Sequence, residues 1–498
     1  MLFNSIEFMF FLPVVFLVYW FVFDRFIGKS KWQLHLQNAF VVVASYVFYG
    51  WWDWRFLILI ALTSLCSWLS GIMMKKADGF QDDAEMSDNR LIVRKRKIIV
   101  ATNIVINLGI LATFKYYDFF ATEFAKFFHL QCDGILLNII LPVGISFYTF
   151  QTLSYSIDVY RRKIEPTKDV LAFFAFISFF PQLVAGPIER ATNLLPQFLK
   201  KREFDYTIAV DGCRQILWGL FKKIVVADNC ALVVNEIFAD YTNMPASLLM
   251  VGALFFTFQI YGDFSGYSDI AIGTSKLFGI RLKQNFNVPY FSRDIAEFWR
   301  RWHISLNTWF RDYVYIPLGG SRTTKAKIVR NTFVIFLLSG LWHGANWTFI
   351  VWGAYHALLF MPLILLGKNR KYTNIVAEGK LLPSIKECAM MLLTFVLVVI
   401  GWIIFRAENI EDAGHYIISI FSLDVWRAVY RFILYPTNYA GYFVLLMLVV
   451  EWLQRGKEHG LEISGVKYGW LRIAIYYVIF VMMLLFSGET ETFIYFQF

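Results

Sequence analysis

Apolar runs of roughly twenty residues recur along this sequence from Met1 to Phe498, and as helices each is long enough to cross a hydrocarbon core about 30 Å thick. Only 17% of the 498 residues are charged, against about 25% in a soluble domain, and the mean hydropathy is +0.52. The chain lacks the polar surface of a soluble protein. The expected fold class is all-α and polytopic, with roughly eleven to thirteen helices, some of them re-entrant or interfacial. The longest polar candidates, 75–97 and the amphiphilic centre 281–330, are too short or too aromatic to fold apart. Residues 1–498 therefore read as a single membrane-embedded domain, and any chemistry must be built inside it.

The net charge of +10 does not describe a nucleic-acid binder. Lys75 and Lys76, Arg94 to Lys97, Arg161 to Lys163, Lys200 to Arg202 and Lys368 to Lys371 lie in short stretches between apolar runs. That is the bias that marks cytoplasmic loops. Arg25, Lys29 and Lys31 follow the first run, so its start is expected outside the cytoplasm. It has no basic leader and no small-residue cleavage site, so it is expected to be a retained helix. The basic cluster of Arg455, Lys457, Lys467 and Arg472 before the last run puts the other terminus on the same outer side. The five cysteines are scattered, without a CxxC or Cys/His cluster, and neither a disulfide framework nor a metal site is expected.

Ionisable residues at membrane depth are functional candidates by default. His343 stands in SGLWHGANWTFIVWGAYHA (339–357), beside Gly340, Gly344 and Ala345, which let a substrate or another backbone come close. A neutral imidazole there can take a proton from a hydroxyl and return it to a leaving group; a hydrogen-bonded core histidine is the plainer alternative. His356 reads as structural. His303 lies in FWRRWHISLNTWFRD among Arg300, Arg301, Arg311 and Asp312. It is either a second polar group supporting His343, with arginines for a phosphate-bearing donor, or part of an interfacial belt. Asp263 and Asp269 in YGDFSGYSDIAIG (261–273) can bind a cation, relay protons or pair with the central arginines, with a structural salt bridge as the plainer alternative. No P-loop, nucleophile elbow or HExxH motif is present.

Taken in order, RWHISLNTWFRDYVYIPLGG and SGLWHGANWTFIVWG resemble the paired hallmarks of the membrane-bound O-acyltransferases. LPVGISFYTFQTLSYSIDVYRRK (141–163), FFPQLVAGPIER (179–190), YGDFSGYSDIAIG and FIYFQF are similar to the bacterial alginate O-acetylation membrane subunits, and part of the pattern is shared with the teichoic acid D-alanylation membrane proteins. The resemblance runs the length of the chain, with a motif core at about 261–357 and a tail at 487–498. It implies a ring of tilted helices around a thinned central tunnel in a bacterial inner membrane. It also implies that His343 is the catalytic base, with His303 nearby on the same tunnel. Arg300, Arg301, Arg311, Asp312, Asp263, Asp269, Trp342 and Asn346 are the candidate donor or tunnel contacts.

The family takes an activated acyl group on the cytoplasmic side, here expected from acetyl-CoA as a substrate, and delivers it outward. In the alginate-type branch an extracytoplasmic partner related to SGNH hydrolases then acetylates polysaccharide hydroxyls. Tyr495, in FIYFQF, is either an acyl relay to that partner or an aromatic anchor at the interface. The competing functions are D-alanyl transfer to teichoic acid, a transporter that runs through Asp263, Asp269 and the arginines, and a non-catalytic scaffold for polysaccharide export. The absence of a convincing internal repeat weighs against the transporter.

Overall fold

The computed structural model describes residues 1–22, 32–78, 90–130, 136–422, 439–487 and 493–494. Among them every regular element is helical. Five runs are long and apolar enough to span a membrane: Gln33–Asp78, Arg90–Lys115, Ala246–Leu277, Trp347–Leu365 and Ile385–Arg406. Shorter apolar helices occupy Ile6–Val22, Ala440–Leu453 and Gly469–Leu485. The first long run is 46 residues and turns at Trp54–Phe56, where Asp53 accepts the Arg55 amide at 2.9 Å. The other apolar segments of the sequence are cut into short helices, such as Val170–Ser178, Phe180–Leu183 and Ala191–Phe198. Large apolar side chains cover the outside of the long runs, Leu392, Leu393 and Ile58 among them. The chain is a multi-pass membrane protein.

The chain forms two compact units, Met1–Gly212 with Ala271–Lys283, and Cys213–Ile270 with Gln284–Phe498. In the first unit the helices Leu57–Asp78, Arg90–Lys115 and Ile145–Tyr160 pack on one another through a polar seam. Asn103 Nδ2 donates to Ser156 Oγ at 2.7 Å, and Asn103 Oδ1 accepts from Ser67 Oγ at 3.3 Å and Asn107 Nδ2 at 3.1 Å. Thr152 Oγ1 donates to Asn107 Oδ1 at 3.0 Å, and the hydroxyls of Ser70 and Ser156 meet at 3.1 Å. Without a hydrophobic drive between helices in lipid, small residues and side-chain hydrogen bonds hold them. Arg96 belongs to this buried set rather than to a loop that marks topology. It pairs with Asp78 and donates to the carbonyls of Val159 at 2.7 Å and Tyr160 at 3.1 Å.

In the second unit the helices Lys325–His343 and Trp347–Leu365 form a tight antiparallel hairpin. A Cβ on Gly340 would come within 2.1 Å of the Phe349 carbonyl oxygen, and one on Gly353 within 2.4 Å of the Phe336 oxygen. The helices cross at the two glycines, a contact that no larger residue permits. The turn between them ends in Asn346, whose side chain accepts the Thr348 amide at 3.0 Å and donates to the Glu408 carbonyl at 2.9 Å. Asn346 is thus a helix cap.

The irregular backbone after this hairpin is held by guanidinium groups. Arg300 donates to the carbonyls of Asn369 and Tyr372 at 2.5 Å each, and Arg293 to that of Asn374 at 2.9 Å. Arg455 donates to the Val376 and Ala377 carbonyls at 3.0 and 2.9 Å. Non-helical backbone of this kind is tolerated in a membrane protein only where the protein itself satisfies it. Asn103→Ala should lower stability in detergent by about 1 kcal/mol, read as an earlier thermal unfolding midpoint. An unchanged midpoint would show that the seam is not holding the helices.

Candidate active site

Two short helices, Ile295–Arg301 and Ile304–Phe310, are joined through Trp302 and His303. His303 has φ +44° and ψ +53°, the left-handed region, which costs a residue with a Cβ roughly 1–2 kcal/mol. The turn brings its buried ring against Asn285. The Asn285 side-chain oxygen lies 3.1 Å from His303 Nδ1, 3.2 Å from the Ser305 amide nitrogen and 2.8 Å from Ser305 Oγ. A backbone N–H only donates, so this atom of Asn285 is the oxygen, and Nδ1 of a neutral His303 must carry the proton. The lone pair is then on Nε2, which is buried with no hydrogen-bond partner among the described residues. The Asn285 amide is fixed from its other side, donating to Ser268 Oγ at 3.1 Å.

His343 is the last residue of its helix, and the chain turns away at Gly344 in extended backbone. Its ring is enclosed by aromatic edges: Trp342 at 5.0 Å, Trp352 at 5.2 Å and Phe405 at 5.2 Å between centroids. Trp342 also meets the His303 ring at 5.7 Å, so the two histidines stand against one indole. A Cβ on Gly344 would lie 2.2 Å from the Phe349 ring. Of the two uses open to the small residues around His343, Gly340 and Gly344 serve close approach by a neighbouring helix. His356, fully buried, packs edge-on against Trp299 at 4.9 Å and Trp352 at 5.1 Å.

A cavity of about 410 Å³ opens beside this hairpin, lined by Arg300, Arg311, Arg370, Trp299 and Ser339 among others. Ser339 precedes His343 by four residues on the same helix, so both share one face. Arg311 is paired with Asp312 at 2.6 Å. Arg301 is turned elsewhere: with Arg293 it grips the buried Glu297, at 2.9 and 3.0 Å. Asp263 and Asp269 are also committed, to Lys223 at 2.8 Å and Lys222 at 2.7 Å. Their partners are these lysines and not the central arginines. Tyr495 lies outside the described residues.

Asn285, Glu297, Lys222 and Lys223 were not singled out in the sequence, though each organises the site. The pair in FKKIVVA carried one legible signal, two adjacent lysines in an apolar run. The run is a π-helix, Phe221–Ala227, whose wide turn lets both lysines face inward. Among the described residues no cluster of His, Cys, Asp and Glu is arranged to hold a metal ion.

Residues 166–399 match the family model of the membrane-bound O-acyltransferases. The chain is 40% identical to the probable alginate O-acetylase AlgI of Pseudomonas aeruginosa over 86% of its own length and 76% of that protein's. It is 34% identical to a peptidoglycan O-acetyltransferase of Helicobacter pylori over 83% of its length and 78% of that protein's. With the teichoic acid D-alanyltransferase of Bacillus subtilis the identity is 30% over 54% of this chain and 70% of that one. The chain belongs to the membrane-bound O-acyltransferase family and is an O-acyltransferase.

Asn285→Ala should cut acyl transfer at least tenfold at unchanged membrane abundance, because the His303 tautomer and ring angle lose their anchor. Full activity in that variant would show that acyl transfer does not depend on this hydrogen bond to His303. Glu297→Ala should cost about 3–5 kcal/mol by leaving two arginines buried without a counter-charge, visible as loss of folded protein in a detergent size-exclusion profile.

Proposed function

We propose that this protein takes acetyl from acetyl-CoA on the cytoplasmic side of a bacterial inner membrane and passes it outward for O-acetylation of a polysaccharide. The observation that carries the reading is the cavity edged by Arg300, Arg311 and Arg370, which reaches the helix face that ends in His343. Guanidinium groups suit the phosphates of a coenzyme A donor, and an apolar interior suits its acyl end. The acetyl reading leans on relatives named for O-acetylation that match over most of the chain. The D-alanyl alternative has a match over 54% of it.

In this reading a hydroxyl attacks the thioester carbonyl while His343 takes its proton. The C–S bond breaks, the proton passes from His343 to the leaving thiolate, and an ester remains. His303, with its lone pair on Nε2, accepts a hydrogen bond from the reacting groups and holds them in line. The hydroxyl is that of Tyr495, whose phenyl ester is an activated acyl carrier. An extracytoplasmic partner of the SGNH-hydrolase type then moves acetyl from Tyr495 to the glycan. Among the described residues of the second unit, where His303 and His343 lie, there is no soluble lobe to hold a polymer. Both termini are on the outer side in this arrangement.

Cells whose only copy carries His343→Ala should export polymer with its ester lost at least tenfold. Persistent ester would return the protein to a scaffold or transport role. Tyr495→Phe should lose ester while the donor is still bound, and full acetylation in that variant would end the relay. Alanine at Arg300, Arg311 and Arg370 together should raise KM for the donor more than it lowers kcat; an unchanged KM would place donor binding elsewhere.

A further inference from the structure

The helix Ala246–Leu277 carries the groups that hold His303 and those that hold a distant part of the chain. Ser268 accepts the Asn285 amide, and Asn285 fixes His303. Five residues earlier on the same helix, Asp263 is buried with its two oxygens divided between two tasks. Oδ1 meets the Lys223 ammonium at 2.8 Å, and Oδ2 accepts the backbone N–H of Ile494 at 2.7 Å. Lys223 is shared with Asp228, also at 2.8 Å. Phe493 and Ile494 are each 1% exposed. The Phe493 ring lies on Tyr267 at 4.7 Å and near Phe264 at 6.1 Å, and Phe264 meets the His303 ring edge-on at 4.6 Å.

A carboxylate in such surroundings persists as an anion only with a counter-charge and hydrogen-bond donors, and Lys223 supplies the first. A hydrogen bond from an amide to a charged acceptor is roughly twice as strong as one between neutral groups. A bond of this strength to a main-chain N–H is indifferent to the side chain at position 494 and sets the position of the backbone itself. The next residue in the chain is Tyr495.

We propose that Asp263, paired with Lys223, is a positioning residue for the relay: it anchors the backbone at Ile494, the residue before Tyr495, one aromatic ring (Phe264) away from His303. The role rests on the acyl-transfer reading given above; the anchor itself does not. It accounts for an aspartate and a lysine, Asp263 and Lys223, buried in a membrane enzyme away from the residues that line the donor cavity.

The test is hydrogen–deuterium exchange of the full-length protein in detergent, following the peptide 487–498, together with polysaccharide acetyl content in cells. Asp263→Ala removes the acceptor. Ile494→Pro removes the donor from the other side and leaves the Lys223–Asp263 pair intact, so it remains informative if Asp263→Ala accumulates poorly. Both should speed exchange of the peptide at least tenfold and lower acetyl ester at least fivefold, and Asp263→Asn, which keeps an acceptor without the charge, should fall between.

Wild-type exchange in the Ile494→Pro protein would overturn the anchor. Faster exchange with full ester would overturn the positioning role, because the segment would then be held for packing alone. Ester retained by a His343→Ala control overturns the acyl-transfer reading and the positioning role with it, while faster exchange in the two anchor variants still supports the bond between Asp263 and the Ile494 backbone.

Discussion

A polar group in hydrocarbon has no water to turn to, and each one left unsatisfied costs several kcal/mol by the order of magnitude for such groups. In this protein that cost is met by pairing polar groups inside each unit. The seam of Asn103, Asn107, Thr152 and Ser156 joins three helices that have apolar exteriors and no hydrophobic reason to associate. Where the backbone leaves the helix after Leu365, Arg293, Arg300 and Arg455 take up its carbonyls. Charges that composition alone would assign to lipid headgroups are thus partly internal struts.

The two histidines illustrate two ways of holding a buried ring. His303 is fixed by hydrogen bonds: a left-handed residue between two short helices, its Nδ1 tied to Asn285, which is tied in turn to Ser268 and Ser305. His343 is fixed by shape, at the end of a helix and among the edges of Trp342, Trp352 and Phe405. Trp342 touches both rings. A rigid aromatic wall between the two imidazoles allows each to keep its own environment, and burial strengthens the hydrogen bonds made there.

Much of the candidate site was legible because its parts are local. The ordered motifs around His303 and His343 named the family, and the lining of the arginine cavity includes Arg300 and Arg311, which stood out as a charged cluster in an aromatic segment. Other assignments changed in kind. Arg301 is occupied by Glu297, four residues away on its own short helix, and Asn346 is a cap. Asn285 passed unnoticed, since nothing in NFNVPY announces that one amide will bridge a serine seventeen residues before it and a histidine eighteen residues after it.

Hydropathy, charge placement and ordered motifs are properties of neighbouring residues, and from them alone the chain reads as a helical, multi-pass membrane O-acyltransferase with His343 and His303 as its candidate reactive groups. Which buried charge meets which is a property of residues brought together from far apart. Asp263 finds Lys223, forty residues earlier in the chain, and the Ile494 amide, 231 residues later. Asp269 finds Lys222. An aspartate in an apolar run has the same local pattern whether it relays protons, binds a cation or holds a backbone. Only the packed structure distinguishes these, because the partner that neutralises a buried carboxylate is chosen by distance in space and leaves no trace in the spacing of the sequence.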